Sequence, residues 1–333
     1  MHPDPKRIMD LSCAYYDSCV LFAANDLGVF PALDRLGRAD AETLAKELSA
    51  DPRGLSLLLN AAVAAGLLVK QDGIYANAPD TAAFLVPGKP GDLSRAINYN
   101  RDVLPAWSRL AQLAKTGKPV EKPSLHLGED QNRTRTFVYA MHFRALGIGR
   151  ALVHQMDLSK MKKLLDIGGG PGTYSVLLAQ KNPDLTSTVM DLPEVAAIAS
   201  ELIASQNMSE RVKAIPGDYH TAEFPQGQDA VAILGVLHQE NPEAITAVFK
   251  KAFQCLNPGG KIFVMDMMCD KTHTNPKFSA MFAVNMALTT ENGWVFSDEE
   301  LSGWLAQAGF EDISTTPLPP PMPHWLTSAR KKG

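Results

Sequence analysis

The sequence predicts an α/β protein: an open, mostly parallel sheet of seven strands with helices on both faces, preceded by an α-helical module. Three observations predict it. From residue 161 onward, short apolar runs alternate with helical segments, as they do when parallel strands are joined by crossover helices. A glycine-rich turn, Gly168-Gly169-Gly170-Pro171-Gly172, links the first apolar run to the first of those helices. Residues from about 8 to 75 read instead as helices followed by a small hairpin. The 333 residues suit about two domains. They divide into a helical module over 1–95, a helical connector over 96–160 and the α/β domain over 161–333.

Composition narrows the class of function. The chain is 45% hydrophobic and 20% charged, enough for a core of normal size. A net charge of -4 gives no general attraction to nucleic acid or to an anionic membrane. The four cysteines, Cys13, Cys19, Cys255 and Cys269, form no CxxC pair and no zinc-spaced cluster, so reduced thiols are expected. No apolar run approaches the ~20 residues that span a bilayer, and no signal-peptide h-region follows the polar start. The expectation is a soluble cytoplasmic protein without a metal.

In the first module, Ile8, Leu11, Tyr15, Val20, Leu21 and Ala24 recur at helical spacing until Leu27-Gly28-Val29-Phe30 interrupts them. Asp40 caps a helix over 41–48. Asp51 and Pro52 open another, running through Leu55, Leu58, Leu59, Ala62 and Val63. Two short apolar runs then flank Asp72-Gly73, a hairpin signal. Helices followed by a hairpin make a winged-helix pattern. The helix before the wing has Arg53 as its only basic residue, too few cations for a recognition helix. The apolar run 18–33 fits a dimer interface, or packing within its own subunit. In the connector, 137–156 is an amphipathic helix.

In the α/β domain the strands are 164–167, 186–190, 211–215, 229–235 and 261–265, with helices over 174–181, 193–206 and 242–256 between them. Thr315 and the run 324–330 add a final antiparallel pair. The turn Asp166-Ile167-Gly168-Gly169-Gly170-Pro171-Gly172-Thr173 follows a strand and opens a helix. Glycines there let the backbone turn sharply and approach a ligand, and the helix start offers free N–H groups. Asp191 ends the next strand, where a carboxylate accepts hydrogen bonds from ribose hydroxyls. That suits NAD as well as S-adenosylmethionine (SAM), but Thr173 stands where the NAD fingerprint needs its third glycine. Asp218, in Gly217-Asp218-Tyr219, reads as an acceptor for an adenine amino group with Tyr219 packed on the ring, or as a turn residue. His238 follows the fourth strand, and imidazole titrates near neutrality, as a general base must.

These motifs in order resemble a class I SAM-dependent O-methyltransferase with an N-terminal winged-helix dimerisation domain, the family of caffeate, acetylserotonin and bacterial polyketide O-methyltransferases. The residues that carry the resemblance are Leu165-Asp166-Ile167-Gly168-Gly169-Gly170-Pro171-Gly172, Asp191-Leu192-Pro193, Gly217-Asp218-Tyr219, Leu237-His238, Asn257-Pro258-Gly259-Gly260-Lys261 and Ala308-Gly309-Phe310. It implies a Rossmann-like domain and a homodimer. The implied cofactor is SAM, leaving as S-adenosylhomocysteine (SAH), held by Asp166, Gly168, Gly170, Gly172, Asp191, Leu192, Gly217, Asp218 and Tyr219. It also implies that His238 deprotonates a small-molecule hydroxyl, with Asp266 where plant members carry a supporting glutamate. Members commonly follow the histidine with Asp-Trp; here Gln239-Glu240 follows. A second glutamate of the plant enzymes has no counterpart in Gly293-Trp294-Val295-Phe296, leaving Glu291 or Glu240 as substitutes. Relatives of this fold methylate carbon or sulfur, and some have lost transfer, so those alternatives stay open. Phe137, Met141, His142, Met281, Phe282, Asn285, Met286 and Trp294 are expected to line an adaptable apolar acceptor pocket. His142 and Asn285 are its polar members.

Overall fold

The computed structural model describes residues 4–122, 124, 128–320 and 322–333. The chain forms two compact units, Met1–Asp102 and Val103–Gly333.

The first unit begins with α1 (Lys6–Cys13), α2 (Tyr15–Asp26) and α3 (Val29–Leu36). Gly28, at φ +73°, supplies the left-handed residue that separates α2 from α3. In α4 (Ala41–Glu47) the Asp40 carboxylate accepts from Thr43 N at 2.8 Å. In α5 (Pro52–Ala64) Asp51 accepts from Gly54 N at 2.7 Å. Each cap satisfies an N–H that the helix leaves without a partner and contributes about 1 kcal/mol. The hairpin of β1 (Leu68–Gln71) and β2 (Ile74–Asn77) turns at Asp72 and Gly73, both at positive φ, as a two-residue turn requires. Phe30, Leu33, Leu44, Leu59 and Tyr75 are buried at its core, and α6 (Pro79–Phe84) closes the unit. Helix α1 buries no residue, and Ile8, Met9, Leu11, Tyr15 and Tyr16 are each more than half exposed.

The division between the units falls within α7 (Asn98–Trp107), which α8 (Leu110–Thr116) and α9 (Gln131–Gln155) follow. Helix α9 starts earlier than its apolar stripe suggests, because Asp130 caps it by accepting from Asn132 N and Arg133 N. The sheet comes next: β3 (Lys163–Ile167), α10 (Thr173–Lys181), β4 (Thr186–Asp191), α11 (Pro193–Ser205), β5 (Val212–Pro216), β6 (Gln228–Leu234), α12 (Pro242–Cys255) and β7 (Leu256–Met267). Then come α13 (Lys277–Thr289), α14 (Asp298–Gln307), β8 (Glu311–Pro317) and β9 (His324–Arg330). The seven strands lie in the order β5-β4-β3-β6-β7-β9-β8, parallel except for β9, which runs antiparallel to β7 and β8. Strand β7 is longer than its apolar centre. Gln228 pairs with Leu256 across a bulge, and Asn257 Nδ2 donates to Asp229 Oδ1 at 2.9 Å, so the polar Asn-Pro-Gly-Gly turn stays on the ladder. Apolar side chains pack on both faces. Leu165, Ile233, Phe249 and Leu301 belong to one cluster, and Leu152, Leu164, Leu178 and Phe263 to another.

The chain leaves β3 in one direction toward β4 and β5, then returns to lay β6 on the other side of β3. Ligands in open α/β sheets bind at that switch, beyond the carboxyl ends of the strands. There β3 delivers the glycine turn, β4 delivers Asp191, β6 delivers His238 and β7 delivers Asp266. No helix among the described residues is long and apolar enough to cross a membrane.

Candidate functional site

Gly168 (φ +61°), Gly170 (φ +54°) and Gly172 (φ +72°) all take left-handed backbone that side chains disfavour. A Cβ on Gly168 would lie 2.8 Å from Val236 Cγ2, so β3 and β6 approach here only because it is glycine. A Cβ on Gly170 would meet nothing within 4 Å, so the bare backbone faces open space at the switch. Gly170 N donates to Asp191 Oδ2 at 2.7 Å, and Leu192 N donates to Asp191 Oδ1 at 2.8 Å. Asp191 thus ties the glycine turn of β3 to the end of β4. Enclosure by protein raises its carboxyl to about 6, against the lowering effect of those two N–H groups. Leu192 precedes α11 without a side-chain cap, and Pro193 opens its first turn. Asp166 is fully buried, and Ser175 Oγ donates to its Oδ2 at 2.6 Å. Burial pushes that carboxyl up to about 7.

Gly217 extends the β4–β5 pairing, its N donating to Asp191 O at 2.8 Å. Asp218 Oδ1 accepts from His220 N at 2.9 Å, and its carbonyl closes the turn to Thr221 and Ala222. Tyr219 is part-buried. Its hydroxyl donates to Glu240 Oε1 at 2.5 Å and accepts from Gln239 Nε2 at 2.9 Å. Burial, then the Glu240 charge, raises its pKa above the usual phenol value, so it stays a donor.

His238 lies on a 3-10 turn, Leu237–Gln239, directly after β6. Its ring Nδ1 is 2.7 Å from Asp266 Oδ1, and its backbone N donates to Asp266 Oδ2 at 3.2 Å. Met267 N donates to Asp266 Oδ1 at 2.8 Å. A fully buried carboxylate accepting three hydrogen bonds has one geometry open to it. An Nδ1–H bonded to Asp266 leaves Nε2 with the free lone pair. The Phe282 ring stands edge-on to the imidazole at 5.0 Å. The main chain after Gly293 holds the turn from the other side. Trp294 N donates to His238 O at 2.9 Å, and Trp294 Nε1 donates to Glu240 O at 2.7 Å.

The acceptor-lining expectations scatter. On α13, Phe282 reaches His238, Phe278 stacks on Phe282, Met286 is buried and Met281 is exposed. Asn285 is buried, and its Oδ1 accepts from Trp107 Nε1 at 2.8 Å. Trp294 directs its indole into an aromatic group with His273, Phe296 and Trp304. On α9, Phe137 packs against the cluster of Val138, Val195, Ile198 and Leu202, and Met141 is part-buried. His142 Nδ1 shares a 2.7 Å hydrogen bond with Thr173 Oγ1 at the start of α10, and burial lowers its pKa.

Of the two glutamates offered as substitutes, Glu240 faces Tyr219 and His220, and Glu291 is exposed. Sequence reading missed the work of Gln239 and Glu240, for nothing local to them names Tyr219 as a partner. It also missed His324, which pairs with Met267 beside Asp266. Its Nδ1 has no partner, and burial pushes the ring down to about 4 against the opposing pull of Asp266. The available signal was its place as the first residue of the strand that lies against β7.

The residues fit SAM. An enclosed carboxylate, bare glycine backbone facing open space and a helix start supply acceptors and N–H donors for a ribose and an amino-acid tail. Among the described residues no group of three or more His, Cys, Asp or Glu could hold a metal ion.

Residues 123–311 match the O-methyltransferase domain, and residues 9–87 match the O-methyltransferase dimerisation domain. The chain is 31% identical over 315 residues to 3-hydroxy-5-methyl-1-naphthoate 3-O-methyltransferase of Streptomyces sahachiroi, covering 93% of this chain and 91% of that one. It is 30% identical over 322 residues to the tetracenomycin polyketide synthesis 8-O-methyl transferase TcmO of Streptomyces glaucescens, covering 95% and 94%. The fold matches human N-acetylserotonin methyltransferase in complex with SAM at a TM-score of 0.89 and 24% identity, over 100% of this chain and 99% of that one. The chain belongs to the O-methyltransferase family, as a SAM-dependent methyltransferase of small-molecule acceptors that carries the family's dimerisation domain.

Proposed function

We propose that the chain methylates a hydroxyl on a polycyclic or otherwise extended aromatic acceptor, with His238 as general base. The observation that carries this reading is the pairing of His238 Nδ1 with buried Asp266 at 2.7 Å. It fixes the tautomer whose Nε2 takes a proton. When bound, SAM supplies an electrophilic methyl on a positively charged sulfur. Nε2 of His238 removes the acceptor hydroxyl proton as the oxygen becomes nucleophilic, and Asp266 stabilises the imidazolium that results. Phe278 and Phe282 give an aromatic acceptor a flat apolar surface beside the base. By their names, one relative methylates a hydroxynaphthoate and the other serves polyketide synthesis, and the first supports an aromatic acceptor.

On the cofactor side, Asp191 accepts the ribose hydroxyls, the backbone at Gly168, Gly170 and Gly172 faces the amino-acid tail, and Asp218 and Tyr219 flank the adenine. The exposed apolar face of α1 and α2 is the homodimer contact; a monomer mass by light scattering would refute that.

The test of the base is transfer of labelled methyl from SAM to a panel of hydroxynaphthoic acids and anthraquinone phenols. The wild type is expected to label at least one at oxygen. His238→Ala should lower the rate by about 10²-fold or more, the usual contribution of a general base. Label appearing at carbon, or a rate within threefold of wild type, would overturn this reading.

A further inference from the structure

Gln239 and Glu240 follow His238 directly. Both side chains hydrogen-bond to the Tyr219 hydroxyl. Glu240 is buried, and its Oε1 takes the Tyr219 hydroxyl at 2.5 Å with His220 Nε2 at 3.2 Å. Gln239 Nε2 donates to the same hydroxyl at 2.9 Å. Tyr219 is held at its other end too, since Lys251 Nζ donates to its carbonyl at 2.7 Å. The carbonyl of Glu240 is fixed by the Trp294 indole at 2.7 Å. A charge-assisted bond in so enclosed a place is among the stronger hydrogen bonds a protein makes.

We infer that Glu240, with Gln239, is a positioning latch: it fixes the Tyr219 ring at the adenine end of the cofactor site and ties that loop to the turn that carries the base. The latch rests on the placement of adenine against Tyr219 proposed above. Physically, it replaces a loose loop with one whose tyrosine is already oriented, so less ordering remains to be done when the cofactor binds. It also makes the distance between cofactor and base a property of three consecutive residues, His238, Gln239 and Glu240, rather than of two independent loops.

The test is a double-mutant cycle on SAH affinity, measured by calorimetry on the full chain, with Tyr219→Phe, Glu240→Leu and both together. Each single variant is expected to weaken SAH binding about tenfold, the scale of one charge-assisted bond. The double variant should be no weaker than the weaker single, because both changes remove the same contact. Glu240→Gln keeps an acceptor oxygen for the hydroxyl and should bind within about threefold of wild type, which separates the latch from mere occupancy of space. Single variants that bind SAH like wild type, or losses that multiply in the double, would overturn the latch. Tyr219→Ala separates the two claims. If it binds SAH as wild type does, the adenine placement itself fails. If it loses binding while Tyr219→Phe and Glu240→Leu do not, only the latch fails.

Discussion

Replacing Asp266 by asparagine changes almost no volume and yet removes the one charge against which His238 is set. In the native site both carboxylate oxygens accept, from His238 Nδ1 at 2.7 Å, His238 N at 3.2 Å and Met267 N at 2.8 Å. An asparagine has one oxygen for those three donors, and its NH2 must face an N–H. Leaving one donor unpaired at a fully buried position costs about 1–3 kcal/mol of stability. The kinetic effect is larger. The imidazolium formed as the acceptor is deprotonated loses its counter-charge, and the amide can select the wrong tautomer. A loss of about 3–4 kcal/mol from the transition state corresponds to about 10²–10³ in kcat. Single-turnover transfer of labelled methyl reads the chemical step, and calorimetry with SAH shows whether the cofactor site survives. The expected result is a collapsed rate with SAH affinity within about threefold of wild type. A variant that turns over within threefold of wild type while His238→Ala is inactive would refute the claim that Asp266 positions and charges the base.

Asp191 predicts a pH dependence. Its carboxyl lies near 6 and must be ionised to accept ribose hydroxyls. SAH affinity should be full above that pH and weaken as the pH falls through it, approaching tenfold per unit, when measured by calorimetry between pH 5 and 8. Because its pKa is raised on folding, the same group makes the ligand-free fold less stable as pH rises from about 4 to above 6. Asp191→Asn should lose SAH affinity at pH 8 and no longer show a binding transition near 6; retained affinity would contradict the role given to Asp191. Gly168→Ala adds strain at φ +61° and a carbon 2.8 Å from Val236, so it should lower stability by about 1–3 kcal/mol in a urea melt. An unshifted midpoint would show that β6 gives way there.

The α/β order was legible because β3, β6 and the centre of β7 are short apolar runs bounded by turn residues, and α12 and α14 carry side-chain caps from Asn241 and Ser297. The ends of β7 were not, because Asn257-Pro258-Gly259-Gly260 reads as a turn and joins the ladder only through Gln228 and Asp229 on another strand. The glycine turn, Asp191 and His238 were legible as types at strand ends, where backbone geometry and chemistry coincide. The partners of Glu240 and Asn285 were not. Tyr219 and Trp107 are distant in sequence, and only the packed sheet and helices bring them within 3 Å. Sequence periodicity also cannot say which side of Trp294 faces a site. The structure gives its backbone to His238 and its ring to Trp304 and His273.

Asp266, near the end of β7, holds the His238 imidazole, and the Trp294 main chain, in the loop that follows α13, holds the His238 carbonyl. Helix α13 presents to the imidazole a ring edge from Phe282. On the proposed reading, the bond that orients the base and the aromatic ring beside it come from different elements, β7 and α13. Substitutions on α13 that leave Asp266 in place are then expected to alter acceptor preference more than the pairing that orients the histidine. Exchanging residues 277–289 between relatives is the natural way to move selectivity by design.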